Sequence, residues 1–181
     1  MTKKKLILIF GSMCSGKSTL IKLFQKDEPK FFHASMDNIK WFISDYSTEK
    51  YAKLGSVNKI LFAMNKQAII EGFSLIVEGG VGLIKNLKYY EELAEKNNMF
   101  LIKINMEAPY SLLLKRFTTR VENARKKLIK VSITDENIFL SRFNTFNKYK
   151  DKNLPSINSS QLDKEEMLFK LKNIIDSIIL K

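Results

Sequence analysis

The chain alternates short apolar runs with longer stretches in which apolar residues recur every three or four positions. Compact runs rich in β-branched and aromatic residues are typical of buried strands, and the wider spacing is typical of helices with one buried face. The pattern predicts strands at 6–10, 31–34, 74–77, 99–104 and 154–158. It predicts helices at 17–26, 38–44, 57–71, 85–96, 110–127, 131–150 and 163–180.

Regular alternation of strands and helices predicts an α/β three-layer sandwich with a five-stranded parallel sheet. A length of 181 residues suits a single domain spanning 1–181. No apolar run approaches the roughly 20 residues that cross a bilayer. The basic start and the short run at 6–10 resemble a secretion signal, but this run leads directly into a glycine loop and is better explained as a strand. We therefore expect a cytoplasmic protein without a membrane segment.

The loop after the first strand carries the clearest chemical signal. Gly11 and Gly16 bracket four residues and are followed by Lys17 and Ser18, which matches G-x-x-x-x-G-K-[ST]. Glycines allow the tight backbone path, and successive amides at a helix start cradle phosphate oxygens. Lys17 is expected to reach the β- and γ-phosphates, and Ser18 to ligate Mg²⁺. The predicted nucleotide-binding residues are Gly11, Ser12, Met13, Cys14, Ser15, Gly16, Lys17, Ser18 and Thr19.

Two acids follow the second and third strands, at the sheet edge where ligands collect in open parallel sheets. Asp37 either takes part in chemistry there or caps the helix that follows, and the residues leave both interpretations open. Glu78, which is followed by two glycines, is predicted to face Mg²⁺ or its water shell together with Ser18. The alternative for Glu78 is an exposed turn glutamate.

Three of the four arginines lie close together in the long helix predicted at 110–127. Arg116 and Arg120 are four residues apart and share one helix face, and Arg125 follows. Guanidinium groups pair bidentately with phosphate oxygens, so this face is predicted to clamp phosphates. A solvated basic face is the alternative.

The net charge of +12 invites a nucleic-acid interpretation. Most of the basic residues are lysines scattered along the chain, which is typical of solvated helix surfaces, so nucleic acid is possible but not favoured. Cys14 is the only cysteine, which excludes an intrachain disulfide. A filler residue is favoured there over a reactive thiol.

These motifs together resemble the small P-loop kinases, in particular the group that contains polynucleotide 5′-kinase domains, zeta toxins and chloramphenicol phosphotransferase. The resemblance implies a strand order of 2-3-1-4-5 and makes Asp37 the base that accepts the proton of the acceptor hydroxyl. It also places Arg116 and Arg120 in a helical lid over the triphosphate, with the lid at 117–135.

The same resemblance implies an adenine-contacting loop at 156–160. The acceptor pocket is expected at residues 38–72 and at the turn after Glu78, where the sequence patterns are least informative. Polynucleotide kinases tend to carry Arg three residues after the base, where this chain has Lys40. That departure weakens the case for a nucleic-acid acceptor.

The sequence therefore predicts an ATP- and Mg²⁺-dependent phosphotransferase that moves the γ-phosphoryl group to a hydroxyl of a small molecule, nucleoside or nucleotide. A polynucleotide 5′-hydroxyl kinase and a non-catalytic ATP-binding regulatory protein stay open as alternatives. A regulatory GTPase is disfavoured, because the stretch nearest to Asn-Lys-x-Asp, at 147–150, ends in lysine.

Overall fold

In the computed structural model, which describes residues 3–33, 35–44 and 55–180, the strands form one parallel sheet. The order is β2-β3-β1-β4-β5, so the predicted order 2-3-1-4-5 is confirmed. The carboxyl ends of all its strands therefore point to one edge. The strands are β1 (Lys5–Phe10), β2 (Phe31–Phe32), β3 (Ser74–Gly79), β4 (Phe100–Glu107) and β5 (Ser156–Asn158).

Helices cover both faces of this sheet, which confirms the three-layer architecture. One face is packed against the first and last helices, and the other against helices from the middle of the chain. The helices are α1 (Lys17–Asp27), α2 (Met36–Phe42), α3 (Ser56–Ile70), α4 (Val81–Lys85), α5 (Leu87–Lys96), α6 (Tyr110–Arg125), α7 (Glu136–Tyr149) and α8 (Lys164–Ile179).

Strand β1 shows how the sequence builds the core. Its side chains alternate between the two faces, with Leu6 and Leu8 in the cluster on one side and Ile7 and Ile9 in the cluster on the other. All four are fully buried. A central strand covered on both faces must be apolar throughout, which explains why the run at 6–10 is continuous instead of alternating.

Several predicted boundaries were wrong. The helix predicted at 85–96 begins at Leu87 as α5, and a short helix that was not predicted, α4, precedes it from Val81 to Lys85. Gly79 and Gly80 before this helix and Gly82 within it hid it from the periodicity. A Cβ atom at Gly79 would lie 2.7 Å from Cβ of Leu83, so this glycine lets the buried Leu83 of α4 pack directly on the strand end.

Two other elements differ in length from their predictions. Strand β4 continues to Glu107, which pairs in register with Asn158 of β5. The helix predicted at 131–150 begins only at Glu136, because the Asp135 carboxylate accepts a hydrogen bond from the Ile138 amide and caps it.

Within residues 3–33, 35–44 and 55–180, we find no helix with the length and hydropathy needed to pass through a bilayer.

Candidate active site

The phosphate loop joins β1 to α1 at the edge where the strands end. At Gly11 a Cβ atom would lie 2.6 Å from the main-chain oxygen of Met106 and from the Ser15 hydroxyl, so only glycine fits. Gly16 has a φ of 96°, in the left-handed region. No described side chain caps the start of α1. The free amides of its first turn are therefore available to an anion.

Lys17 is folded back onto its own loop. Its Nζ donates to the carbonyl oxygens of Gly11 at 3.1 Å and Ser12 at 2.8 Å, and to the Ser15 hydroxyl at 3.3 Å. Burial lowers the pKa of Lys17, and the nearby carboxylate of Glu78 opposes that shift. The loop is thus wrapped around an ammonium group, whose charge suits a polyanion in the same concavity.

Ser18 and Glu78 meet across the sheet edge. Register pairing sets Glu78 of β3 beside Ile9, one residue before the end of β1. The Ser18 hydroxyl lies 2.9 Å and 2.8 Å from the two carboxylate oxygens of Glu78, which makes it a shared hydrogen-bond donor. Glu78 is therefore not an exposed turn residue, and the two predicted metal-binding residues come together.

This pair of oxygen donors fits Mg²⁺. Magnesium prefers hard oxygen ligands and is usually held by one or two protein groups, with water and substrate phosphates completing its octahedron. Among the residues that the structure describes, no group of three or more His, Cys, Asp or Glu side chains is arranged to hold a metal ion alone. A hydroxyl and a carboxylate beside a phosphate loop supply only part of a coordination sphere. This suits a metal ion that binds together with a nucleotide, because the nucleotide phosphates and water supply the other ligands.

His33 at the end of β2 completes this cluster and was missed by the sequence analysis. Its Nε2 is buried and lies 3.3 Å from Oε1 of Glu78. The nitrogen makes no hydrogen bond of good geometry to a described residue, so the contact is one of close approach. Burial raises the pKa of Glu78, but His33, Lys17 and Ser18 together outweigh it and leave that pKa below its ordinary value. Glu78 is therefore held as a carboxylate.

Asp37 lies in the first turn of α2 and does not cap it. The N-cap is Ser35, whose hydroxyl accepts a hydrogen bond from the Asn38 amide at 3.1 Å. The capping alternative for Asp37 was therefore wrong. Its carboxylate is half-exposed, accepts a hydrogen bond from Lys40 at 2.8 Å and, after Glu78, partly opposes the lowering of the pKa of Lys17 by burial. The side chain is thus free of helix capping and lies within electrostatic range of the phosphate loop.

Arg116 of α6 ties the loop to the end of β5. Its Nη1 donates to the carbonyl oxygen of Cys14 at 3.2 Å and to the hydroxyl of Ser159 at 2.9 Å. Its Nη2 donates to the carbonyl oxygen of Ser159 at 3.0 Å. The guanidinium predicted to clamp phosphates therefore also holds together two segments that border the phosphate loop.

We expect Arg116→Met to lower the free energy of unfolding by about 2 kcal/mol, because hydrogen bonds from a charged group to two backbone oxygens are lost while the apolar stem is kept. Urea unfolding followed by circular dichroism measures this. Arg142→Met, at an exposed arginine of α7, is the matched control and should leave stability within about 0.5 kcal/mol. Equal stabilities for the two variants would contradict the bracing role.

Cys14 sits at the crest of the loop with a φ of 65°. Burial raises the pKa of its thiol, and Arg120, Lys17 and Arg116 only partly oppose that shift. A thiol with a raised pKa is a poor nucleophile at neutral pH. This supports the filler interpretation, and it places Arg120 beside the crest, on the same side as Arg116.

Comparison with known proteins gives a likeness of fold. No protein-family model matches the chain, and no curated protein matches it. Among solved structures, a kinase candidate from Chloroflexus aurantiacus is similar with a TM-score of 0.70 at 16% identity, covering 95% of this chain and 98% of its own. A sugar kinase from Janibacter sp. is similar with a TM-score of 0.61 at 14% identity, covering 96% of this chain and 95% of its own. APS kinase from Mycobacterium tuberculosis, in complex with AMPPNP and APS, is similar with a TM-score of 0.58 at 12% identity, covering 97% of this chain and 99% of its own.

The chain has the fold of the small P-loop kinases. In this P-loop kinase fold the predicted lid, 117–135, comprises the end of α6 and its connection to α7. Within the connection, Nζ of Lys130 lies 5.9 Å from the ring centroid of Trp41 on α2. Arg125 is exposed at the end of α6. The segment predicted to be the lid thus extends from the arginine-bearing helix to the helix that carries Asp37.

A cavity of about 280 Å³ lies behind the phosphate loop of this P-loop kinase fold. Its walls are the loop residues Ser12 and Ser15, the start of α6 and the end of α7, with the ion pair of Lys150 and Glu107 at 2.7 Å. None of the residues predicted to be catalytic lines it. Ser18 and Glu78 are not lining residues either, but the cavity borders Ser12 and Ser15, to which Lys17 donates.

The predicted acceptor region, 38–72, is described only in part. Residues 45–54 of this region lie outside the described residues, and Trp41 is partly exposed on α2. His33 was missed because no local pattern marks it. The available signals were that it is the only histidine in the chain and that it stands at the end of a predicted strand.

Proposed function

We propose that this protein is an ATP-dependent phosphotransferase that moves the γ-phosphoryl group to a hydroxyl of a small molecule or nucleoside. The observation that carries the proposal is the convergence of Lys17, Ser18 and Glu78 at one edge of the sheet, with Ser18 within 2.9 Å of both Glu78 oxygens. A binding site for phosphate with a partial site for Mg²⁺ beside it is what phosphoryl transfer from a nucleoside triphosphate requires.

In the proposed mechanism the loop amides and Lys17 hold the β- and γ-phosphates and neutralise the charge that develops on them. Asp37 orients the acceptor hydroxyl and accepts its proton as the hydroxyl oxygen bonds to the γ-phosphorus. The bond from that phosphorus to the β,γ-bridging oxygen breaks, and ADP leaves with the bonding electron pair. Arg120, beside the loop crest, is the guanidinium proposed to face the transferred group, while Arg116 keeps the loop in place.

Ser18 and Glu78 are the residues proposed to hold Mg²⁺, directly or through water. Bound there with the nucleotide, the ion would neutralise phosphate charge and align the phosphates. Glu78 is suited to this because its pKa lies below the ordinary value, so it is ionised at neutral pH.

The first test is calorimetric titration of the protein with AMPPNP, with and without Mg²⁺, followed by a transfer assay with γ-labelled ATP and a panel of hydroxyl acceptors. We expect binding that strengthens with Mg²⁺, and label transferred to an acceptor. Repeating the titration with GTP in place of ATP tests whether the protein prefers adenine or guanine as the nucleobase. Absence of any triphosphate binding by folded protein overturns the proposal, and binding without transfer to any acceptor or to water favours a regulatory protein.

A 5′-hydroxyl oligonucleotide belongs in the same panel. Lys40, at the position discussed for polynucleotide kinases, donates to Asp37 and is not free to hold an acceptor phosphate in this arrangement. We therefore expect the oligonucleotide to be a worse acceptor than small molecules. Strong labelling of its 5′ end, together with binding that weakens steeply with salt, would favour the nucleic-acid alternative.

A further inference from the structure

A narrow cleft opens beside the proposed acids, between α2, α3 and α4. Met36, which precedes Asp37, lines it together with Asn58 of α3, Glu78 of β3 and Asn86. Its volume of about 10 Å³ is close to that of a single water-sized group. The cleft is thus large enough for one hydroxyl or amino group of a ligand whose larger part lies outside.

The polar atom that this cleft leaves unpaired is Oδ1 of Asn58. It is buried and has no hydrogen-bond partner among the residues that the structure describes. The other polar side chains of the lining have neighbours within the chain: the Asn86 amide donates to the Gly82 carbonyl oxygen at 2.8 Å, Glu78 accepts from Ser18, and the Tyr90 hydroxyl is next to the Asn65 side chain. Buried oxygens without partners are costly and rare, so one that lines a cleft at a proposed active site points to a partner from outside the chain.

The rest of the lining indicates the chemistry of that partner. The walls are apolar or aromatic, from Leu61, Leu83 and Tyr90 among others, and no lysine or arginine is among the lining residues that the structure describes. A phosphate or carboxylate substituent would find no counter-charge here and would face the Glu78 carboxylate. A neutral hydrogen-bond donor, such as a hydroxyl, would find the Asn58 oxygen.

Position supports a shared ligand for Asp37 and Asn58. Helices α2 and α3 pack through a small core of Ile39, Val57 and Leu61, and Val57 is the residue before Asn58. Met36 packs on the same core and lines the same cleft. The base and the unpaired amide are therefore carried by two helices that are fixed against each other.

We infer that Asn58 is a specificity-determining residue, whose side-chain oxygen accepts a hydrogen bond from a second hydroxyl of the phosphoryl acceptor. The acceptor is then a neutral polyhydroxylated molecule, one hydroxyl of which is phosphorylated while another occupies the cleft. This inference rests on the proposed function and narrows its substrate class.

The test compares neutral acceptors with their phosphorylated forms. The probes are D-glucose, D-ribose and uridine, each paired with its monophosphate, in the transfer assay with labelled ATP. We expect transfer to at least one neutral probe and at least tenfold weaker use of its phosphate. If AMPPNP binds but none of the neutral probes is labelled, or if the phosphates are preferred, the inference is overturned while nucleotide binding stands. If AMPPNP does not bind, the proposed function falls first.

The variant that tests the residue itself is Asn58→Leu, which keeps the size of the side chain and removes its acceptor oxygen. We expect KM for the neutral acceptor to rise about tenfold or more, with kcat and the affinity for AMPPNP changed less than twofold. The melting temperature should stay equal or increase, because a buried unpaired oxygen is replaced by an apolar group. A purely structural asparagine would instead lower the melting temperature and leave KM alone.

Two further variants complete the test. Lys59→Leu, at the next and exposed position of α3, is the matched control and should leave every parameter unchanged. Asn58→Ala removes the same oxygen with a smaller side chain, and it carries the KM comparison if leucine does not fit. An unchanged acceptor KM in a folded variant at position 58 refutes the role of Asn58.

Discussion

Lys17→Met is expected to reduce ATP turnover by at least about a thousandfold and to weaken AMPPNP binding. Loss of one preorganised donor to a developing oxyanion costs 10²–10³ in rate, and cationic groups on a transferring phosphoryl contribute up to about 10⁵. Methionine keeps the apolar stem but leaves the carbonyl oxygens of Gly11 and Ser12 without their ammonium donor. Calorimetry and an ADP-release assay with an accepted hydroxyl compound measure the two effects.

The matched control is Lys22→Met, on the exposed side of the same helix. It changes the net charge equally and should alter neither turnover nor binding by more than about twofold. Circular dichroism must show both variants folded. Turnover by folded Lys17→Met protein within threefold of the wild type would refute the role of Lys17, and with it the assignment of the loop as the site of transfer.

The parts of the site that the sequence predicts are those encoded locally. The phosphate loop is a contiguous run whose glycines, lysine and serine each meet a requirement of backbone or charge, and Gly11 and Gly16 meet theirs in the structure. The buried strand before the loop follows from an uninterrupted apolar run. Strand order is different, because it depends on long-range pairing, and here it came from family resemblance.

The start of α2 was predicted wrongly because two neighbouring residues could cap the helix. Ser35 and Asp37 both carry oxygens that can cap a helix, and nothing in their immediate neighbourhood selects one. The structure selects Ser35 because α2 begins at Met36. Because the Ser35 hydroxyl caps α2, the Asp37 carboxylate is not needed for capping and is available to the proposed active site.

Partners that are distant in sequence could be predicted only where motifs pointed to both, as for Ser18 and Glu78. His33 and Glu78 lie on adjacent strands and meet only when β2 pairs with β3. Asn58 sits in an ordinary helical pattern, and its unpaired oxygen becomes visible only when α2, α3 and α4 are packed around it. Features of this kind, a buried contact between neighbouring strands and an unsatisfied acceptor, are set by tertiary packing and leave no local signal in the sequence.

Asp37→Asn is expected to lower turnover by a factor of about 10²–10⁴, the usual contribution of a positioned general base, with affinity for AMPPNP kept within about twofold. Asparagine has the same shape but cannot accept the hydroxyl proton. Folding should be almost unaffected, because the lost ion pair with Lys40 is at a carboxylate that is 52% exposed, and such pairs contribute little. Steady-state kinetics with an accepted hydroxyl compound and calorimetry measure the two quantities.

Asp27→Asn provides a closely matched control, since Asp27 is 49% exposed and pairs with Lys172 at 3.1 Å, but ends α1 at the far edge of the sheet from the phosphate loop. It should cost as little stability as Asp37→Asn and no activity. A tenfold or greater loss in both variants would trace the effect to lost surface charge. Full turnover in Asp37→Asn would transfer the role of base to another group, and Glu78 would be the first to examine, because its carboxylate lies in the same cluster and is ionised at neutral pH.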